Sequence, residues 1–337
     1  MKKNNKYRNK VSFMKTNFFL LLVTVLFAGC NPSVYLTVQR PAEINLSGNK
    51  TIGVGEFILP GGRKSLQSNN LEEIITTRLV EAKTFQVVDR QNMNNILQEH
   101  NLSLSGMVDG NNAVEVGKLL GTNVLIFGNI NEDSYSEEII ETEKTDEEGG
   151  RTYIVKERKG KYKLQTNIRL VEVSTGKILA ARDFSSVKTA KTSARNEDPP
   201  AIDRRSMYRQ ASQDVASKLV RMIAPYKESV KVSFEKDKEL PELDVAIAQI
   251  KIGDWDDAIR TLQMAAMKSN LDDKTKAKAY YNYGLVILYD GQYENAIESF
   301  RRAMQLNPKK KTYQQAVIRA RNEQTNAEKL EEQLDQG

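Results

Sequence analysis

The sequence offers few residues that could do chemistry. One cysteine, Cys30, and one histidine, His100, occur in 337 residues. A single thiol excludes both a disulfide framework and a cysteine-ligated zinc site. A lone imidazole leaves little for histidine-based acid–base catalysis, and His100 reads as a surface residue at a helix end. Gly61-Gly62-Arg63-Lys64-Ser65 carries part of a phosphate loop, but its first glycine is at the wrong spacing and no helix start is expected directly after it, so nucleotide binding is not expected. The acids at Asp146-Glu147-Glu148 and at Asp254, Asp256 and Asp257 lack the ligand order of a calcium loop. No catalytic residue, metal or cofactor is expected, and the chain reads as a non-enzyme.

Cys30 gains meaning from what precedes it. Six bases and no acid occupy the first 29 residues, followed from Phe18 to Phe27 by the apolar run FFLLLVTVLF. That run is about half the ~20 residues a membrane-spanning helix requires, so it reads as the core of a secretory signal. Ala28-Gly29-Cys30 resembles a bacterial lipobox, in which small residues precede a cysteine that is acylated and becomes the mature N-terminus. Cys30 is therefore the expected lipidation site, and residues 1–29 the signal peptide. An acyl anchor adds ~0.8 kcal/mol per buried methylene. Asn31 rather than Asp follows the cysteine, which favours the outer membrane. The absence of an acidic run after Cys30 points to the periplasmic face.

The charge of the whole chain, 50 Lys+Arg against 44 Asp+Glu, then changes its sense. All six excess bases lie in the signal segment, so the rest is formally neutral and no nucleic-acid partner is expected.

Beyond a tether at 30–49, discouraged from regular structure by Pro32 and Pro41, the apolar periods switch between two and 3.6 residues. Strands are predicted at Thr51–Ile58, Phe85–Asp89, Thr122–Ile130, Leu164–Val173 and Lys177–Val187. Helices are predicted at Asn69–Lys83, Gln91–Glu99, Asn112–Leu120 and Ala201–Ile223. That order predicts an α/β sandwich with a mixed sheet over residues 50–223. A linker rich in Lys and Glu follows at 224–240.

Several stretches in this region carry a resemblance. Phe85-Gln-Val-Val-Asp-Arg-Gln with Ile96-Leu97, then Ser105-Gly106 and Asp109, then Val116-Gly-Lys-Leu-Leu-Gly-Thr-Asn-Val-Leu-Ile-Phe-Gly128 are similar to the curli-secretion lipoprotein family, CsgG. Leu170-Val-Glu-Val-Ser-Thr-Gly-Lys-Ile-Leu179 also fits. The resemblance implies an envelope lipoprotein domain. Activator lipoproteins of penicillin-binding proteins share a similar fold without a pore.

A family pore would need two lipid-facing hairpins per subunit. The first position, 131–164, is charged on both faces: residues 132–148 hold nine acids and one base, and 151–163 hold six bases and one acid. A charge on the lipid side costs up to ~2–4 kcal/mol at the midplane, so a barrel is not expected. Opposite charges across the two arms instead favour a hairpin in water around Glu148-Gly149-Gly150. A partner-docking arm is the alternative. The second position, Ser185–Pro200, is too polar and short for a pair of spanning strands.

From 241 to 337 the pattern is all-helical. Ala277, Tyr280, Tyr283, Gly284, Gly291, Tyr293, Ala296, Phe300, Ala303 and Pro308 sit where a tetratricopeptide repeat of ~34 residues requires small, aromatic and helix-ending side chains. A partial earlier copy is marked by Gly253, Trp255, Ala258, Leu262 and Ala265, and Thr312–Leu334 reads as a polar capping helix. Such repeats bind peptide segments in a concave groove, for which Asn282, Tyr283 and Tyr289 are the candidate partner-binding residues; packing on the first domain or homo-oligomerisation is the competing use. The expected role is an outer-membrane lipoprotein, facing the periplasm, that serves as scaffold or accessory factor in envelope assembly or secretion and binds periplasmic or outer-membrane proteins. A channel subunit and a peptidoglycan-synthase activator are the alternatives.

Overall fold

The computed structural model describes residues 31–46, 48–88, 117–147 and 149–335. The signal segment, Cys30, His100, the Ser105-Gly106 and Asp109 motif, and the helix predicted at Gln91–Glu99 lie outside those residues. Of the helix predicted at Asn112–Leu120, only 117–120 is described, and it is helical. Gly121 follows at φ +64°, the left-handed position that a helix-ending glycine adopts readily.

The first unit is a five-stranded sheet. Its order is β3 (Gln86–Val87), β2 (Thr51–Ile58), β4 (Val124–Thr145), β5 (Thr152–Glu172) and β6 (Ile178–Arg195). β2 runs parallel to β3 and β4, whereas β4, β5 and β6 are antiparallel, so the sheet is mixed as predicted. The near-continuous apolar run of β2 is what a central strand buried on both faces needs. α1 (Leu66–Ala82) and α2 (Arg204–Ile223) pack on the sheet: Leu71, Ile75 and Leu79 from one, and Met207, Ala211, Val215, Leu219 and Met222 from the other, join Ile52, Phe57, Ile126, Ile168 and Leu170 in one core. Each of these side chains larger than Ala211 contributes ~1.5–3 kcal/mol by leaving water.

α1 begins three residues earlier than its apolar period shows. The Ser65 hydroxyl accepts the Ser68 amide at 3.1 Å, and Leu66, in the first turn, is exposed and carries no periodic signal. A helix thus does start directly after Gly61–Ser65, contrary to expectation, but Lys64 is already paired with Glu56.

The largest correction concerns the expected tether and linker. Ser33–Arg40 forms β1 and Tyr226–Ser233 forms β7, and the two pair antiparallel from Ser33↔Ser233 to Arg40↔Tyr226. Pro32 and Pro41 flank this strand rather than interrupt it. Alternate residues Val34, Val232 and the following Phe234 are buried in the helical core, so the chain entering the sheet domain and the chain leaving it are zipped into a neck.

The helical unit contains α3 (Glu242–Ile252), α4 (Trp255–Met267), α5 (Asp273–Tyr289), α6 (Tyr293–Leu306) and α7 (Lys311–Asp335). α5 and α6 are the strong repeat. A Cβ on Gly284 would lie 2.6 Å from the Phe300 ring, so only glycine lets these helices approach. Ala277, Ala296, Phe300 and Ala303 are fully buried, Tyr280 and Tyr293 half-buried, and Pro308 follows the end of α6. Gly291 makes the turn at φ +87°. The partial copy supplies α4, with α3 as its first helix, and the capping helix is α7.

Candidate functional site

The concave side of the repeats is filled by the chain itself. Asn282, on α5, is 1% exposed. Its side-chain oxygen accepts the Glu235 amide at 2.8 Å, and its side-chain nitrogen donates to the Glu235 carbonyl at 2.8 Å. The Glu235 carboxylate is buried as well: it accepts from the Tyr313 hydroxyl at 2.8 Å and pairs with the Lys310 ammonium at 3.0 Å. Burial first, and then the Glu235 carboxylate, push the Tyr313 phenol up, so it stays a donor. Further along, Asp237 meets Lys278 at 2.9 Å. Residues 233–237 therefore occupy the groove as an extended peptide would.

The three candidate partner residues consequently do not form an open surface. Asn282 holds the backbone of this chain, Tyr283 is half-buried beside the helical core, and Tyr289 is half-buried two turns beyond Asn282 on the same side of α5. Burial raises the Tyr289 phenol, with Arg319 and Arg40, the latter from the neck, pulling it down and Glu323 pushing it up.

The more open feature is the sheet. β2 ends opposite Asn129, so β4, β5 and β6 continue without it as a three-stranded blade. The acidic and basic arms do pair across the hairpin: Glu141 with Lys156 at 3.1 Å, Glu137 with Arg158 at 2.6 Å and Glu132 with Lys163 at 2.6 Å. The Tyr135 hydroxyl and then the Arg158 guanidinium hold the Glu137 carboxyl below its usual range. The segment Ser185–Arg195, expected to be too polar for a spanning pair, is the third strand, registered along β5 as far as Arg195↔Val155.

One blade face is covered by the return segment 196–203. The Pro199 carbonyl accepts from the Arg158 guanidinium, and the Pro200 carbonyl accepts the Thr192 hydroxyl at 2.6 Å. Gly160 lies beneath Ile202, where a Cβ would come within 2.8 Å of it. The other face is open: a depression of about 850 Å³ is lined by Ser136, Glu138, Glu157, Lys159, Lys161 and Lys191 among others. Two edges that are unpaired among the described residues, the outer parts of β4 and β6, border it.

At the blade root, a cleft of about 640 Å³ lies between α1, α2 and β4–β5. Tyr135, Tyr162 and Tyr208 form its aromatic wall, with centroids 6.5 and 5.8 Å apart along the series. Arg204 stacks 4.3 Å over Tyr135. Burial raises the Tyr208 phenol to about 12, so the ring is neutral. Periodicity could not reveal this cleft, because its residues come from four separate elements.

A mixed-sheet α/β domain with a projecting blade is joined by a paired-strand neck to a tetratricopeptide unit. Residues 43–197 match the family model for the curli production assembly/transport component CsgG, and residues 277–310 match that for a tetratricopeptide repeat. The chain carries a CsgG-family domain followed by a tetratricopeptide repeat. No curated protein matches it. Among solved structures it is similar to the LpoB C-terminal domain from Salmonella enterica, with 16% identity and a TM-score of 0.28 over 41% of this chain and 82% of that one. Lipoprotein GNA1162 from Neisseria meningitidis gives 11%, 0.29, 41% and 80% in the same order. A PelC dodecamer from Paraburkholderia phytofirmans gives 12%, 0.27, 57% and 99%. No helix among the described residues is long and apolar enough to cross a membrane.

Proposed function

We propose that the protein is a non-enzymatic outer-membrane lipoprotein, acylated at Cys30 and facing the periplasm, that acts as a scaffold or accessory factor in envelope assembly or secretion. The observation that carries this reading is the blade. It projects from the CsgG-family domain with one face and two strand edges free among the described residues, while the repeat groove is already filled by residues 233–237. Protein partners therefore dock on the blade. The acids of β4 and the bases of β5, standing where a lipid-facing strand would need apolar side chains, support a blade that works in water.

The test places a photo-reactive residue at Lys161, on the open blade face, and at Met264, exposed on α4, in cells with an intact envelope. Adducts to a defined envelope protein from Lys161 and none from Met264 are expected. The same adducts from Met264 alone would move the docking site to the helical unit. Discrete conductance steps from purified protein in a planar bilayer would replace the scaffold with a channel.

A further inference from the structure

The neck fixes which end of the molecule the proposed anchor leaves. Pro32, two residues after Cys30, accepts the Phe234 amide through its carbonyl at 2.9 Å, and β1 starts at the next residue. Phe234 is buried in the helical core, directly before the groove-filling Glu235. Asn31, itself exposed, is thus the residue before one that is bonded to the edge of the tetratricopeptide core and not to the sheet domain. From there the segment runs to Glu239, whose carbonyl accepts from the Lys268 ammonium at 3.4 Å, just past the end of α4.

That end of the helical unit gathers the end of α4, the start of α5, the end of α6 and the start of α7, because antiparallel helices with short connections alternate their termini. Its free charges lean basic: Lys238, Lys274, Lys309 and Lys311 are exposed and have no carboxylate partner among the described residues, against Glu239, Asp272 and Asp273 as exposed acids without a basic partner, Asp272 being engaged as the cap of α5. Met267 adds an apolar side chain that is 72% exposed.

The sheet domain lies at the other end. α7 spans ~37 Å for its 25 residues at ~1.5 Å each, and the Gln333 side chain, near its C-terminus, clamps both backbone groups of Ala42 at 2.8 and 3.0 Å. β1 covers ~27 Å in the same direction, and the 22 residues of β4 extend a further ~73 Å of contour to the blade tip at ~3.3 Å each.

We infer that the loop end of the tetratricopeptide unit, through Lys238, Lys274, Lys309, Lys311 and Met267, rests on anionic lipid headgroups of the bilayer that holds the anchor, and that the blade tip is carried at the distal end. The inference rests on the acylation of Cys30 proposed above. Each exposed lysine held near an anionic surface adds to the attraction, and salt weakens it. The helical unit is then the foot of the molecule and not its free arm.

The full-length acylated protein is reconstituted in vesicles of phosphatidylethanolamine and phosphatidylglycerol bearing a headgroup-linked quencher. A fluorophore is placed through Lys309→Cys or, separately, Glu147→Cys, Cys30 itself being blocked by its acyl chains. Quenching several-fold stronger at 309 than at 147 is expected, and it should fall in high salt and in a Lys238→Glu/Lys311→Glu variant that still floats with the vesicles. Floating protein with no quenching at 309, or with stronger quenching at 147, would overturn the inference and leave the anchor reading intact. Absence of the acyl mass at Cys30 by mass spectrometry would instead remove the anchor reading and the inference with it.

Discussion

Asn282→Ala separates a structural groove from a binding groove. In the folded protein the Asn282 amide satisfies both the N–H and the C=O of Glu235, each at 2.8 Å, and the two residues are 1% and 5% exposed. Water has no direct route to replace the lost partner. A buried polar group left without a partner costs ~1–3 kcal/mol, so the two together amount to ~2–6 kcal/mol. That is a large share of the ~5–15 kcal/mol that holds a typical domain together. Urea unfolding followed by far-UV circular dichroism should show the helical signal lost at lower denaturant, with the slope little changed. Hydrogen exchange at the Glu235 amide should accelerate even in the absence of urea, because the segment loses its clamp before the helices melt. If the midpoint shifts by less than ~0.5 kcal/mol and the Glu235 amide stays protected, the clamp is not what holds the segment, and the groove is open to an external peptide after all.

Three further outcomes follow from the geometry. Gly284→Ala drives a Cβ to 2.6 Å from Phe300 and should destabilise the helical unit by ~1–3 kcal/mol, read as a lower thermal midpoint; an unchanged midpoint would mean that α5 and α6 separate freely. Arg40→Ala removes the guanidinium that joins Glu228 on β7 and Glu323 on α7, and should cost ~2–3 kcal/mol and expose the neck to protease at 41–46; equal cleavage in both proteins would refute the clamp. Asp237 supplies a pH dependence. Burial pushes its carboxyl up, but the Lys278 ammonium, the Glu239 amide and the Thr275 hydroxyl together hold it below its ordinary 3.8, so its stabilising charge is present above that value and lost as the pH falls through the folded one. Asp237→Asn should therefore narrow the stability gap between neutral pH and pH about 3, and an acid limb identical to the parent's would exclude Asp237 from it.

Much of the architecture was legible in the sequence because it is local. The 3.6-residue stripes of α1 and α2, the apolar run of β2 and the repeat positions from Ala277 to Pro308 each announce an element without reference to anything distant. The neck had a signal too, since Val34, Leu36 and Val38 alternate, as do Val230, Val232 and Phe234, but two flanking prolines and abundant lysine drew attention away from it. The filled groove had none. Glu235 is a buried acid held by Asn282, Tyr313 and Lys310, residues 47 to 78 positions away, and no period or composition encodes such a pairing. The complementary charges of the blade arms were readable because a hairpin makes distant residues local, whereas its third strand, Ser185–Arg195, is distinguished only by its register on β5.

The zipped neck also bears on the order in which the chain folds. β1 is made first and must wait for β7, about 190 residues later, and closing a flexible loop of that length costs ~5 kcal/mol of entropy. Once the intervening sheet domain has folded it holds Arg40 and Tyr226 side by side, and most of that cost has been met before the neck forms. Folding of the sheet domain thus lowers the entropic cost of pairing β1 with β7. A fragment starting at residue 241 would lack Val34, Val232 and Phe234, together with the Glu235 backbone that Asn282 grips, so the repeats would have to complete their core without the strands that now fill it.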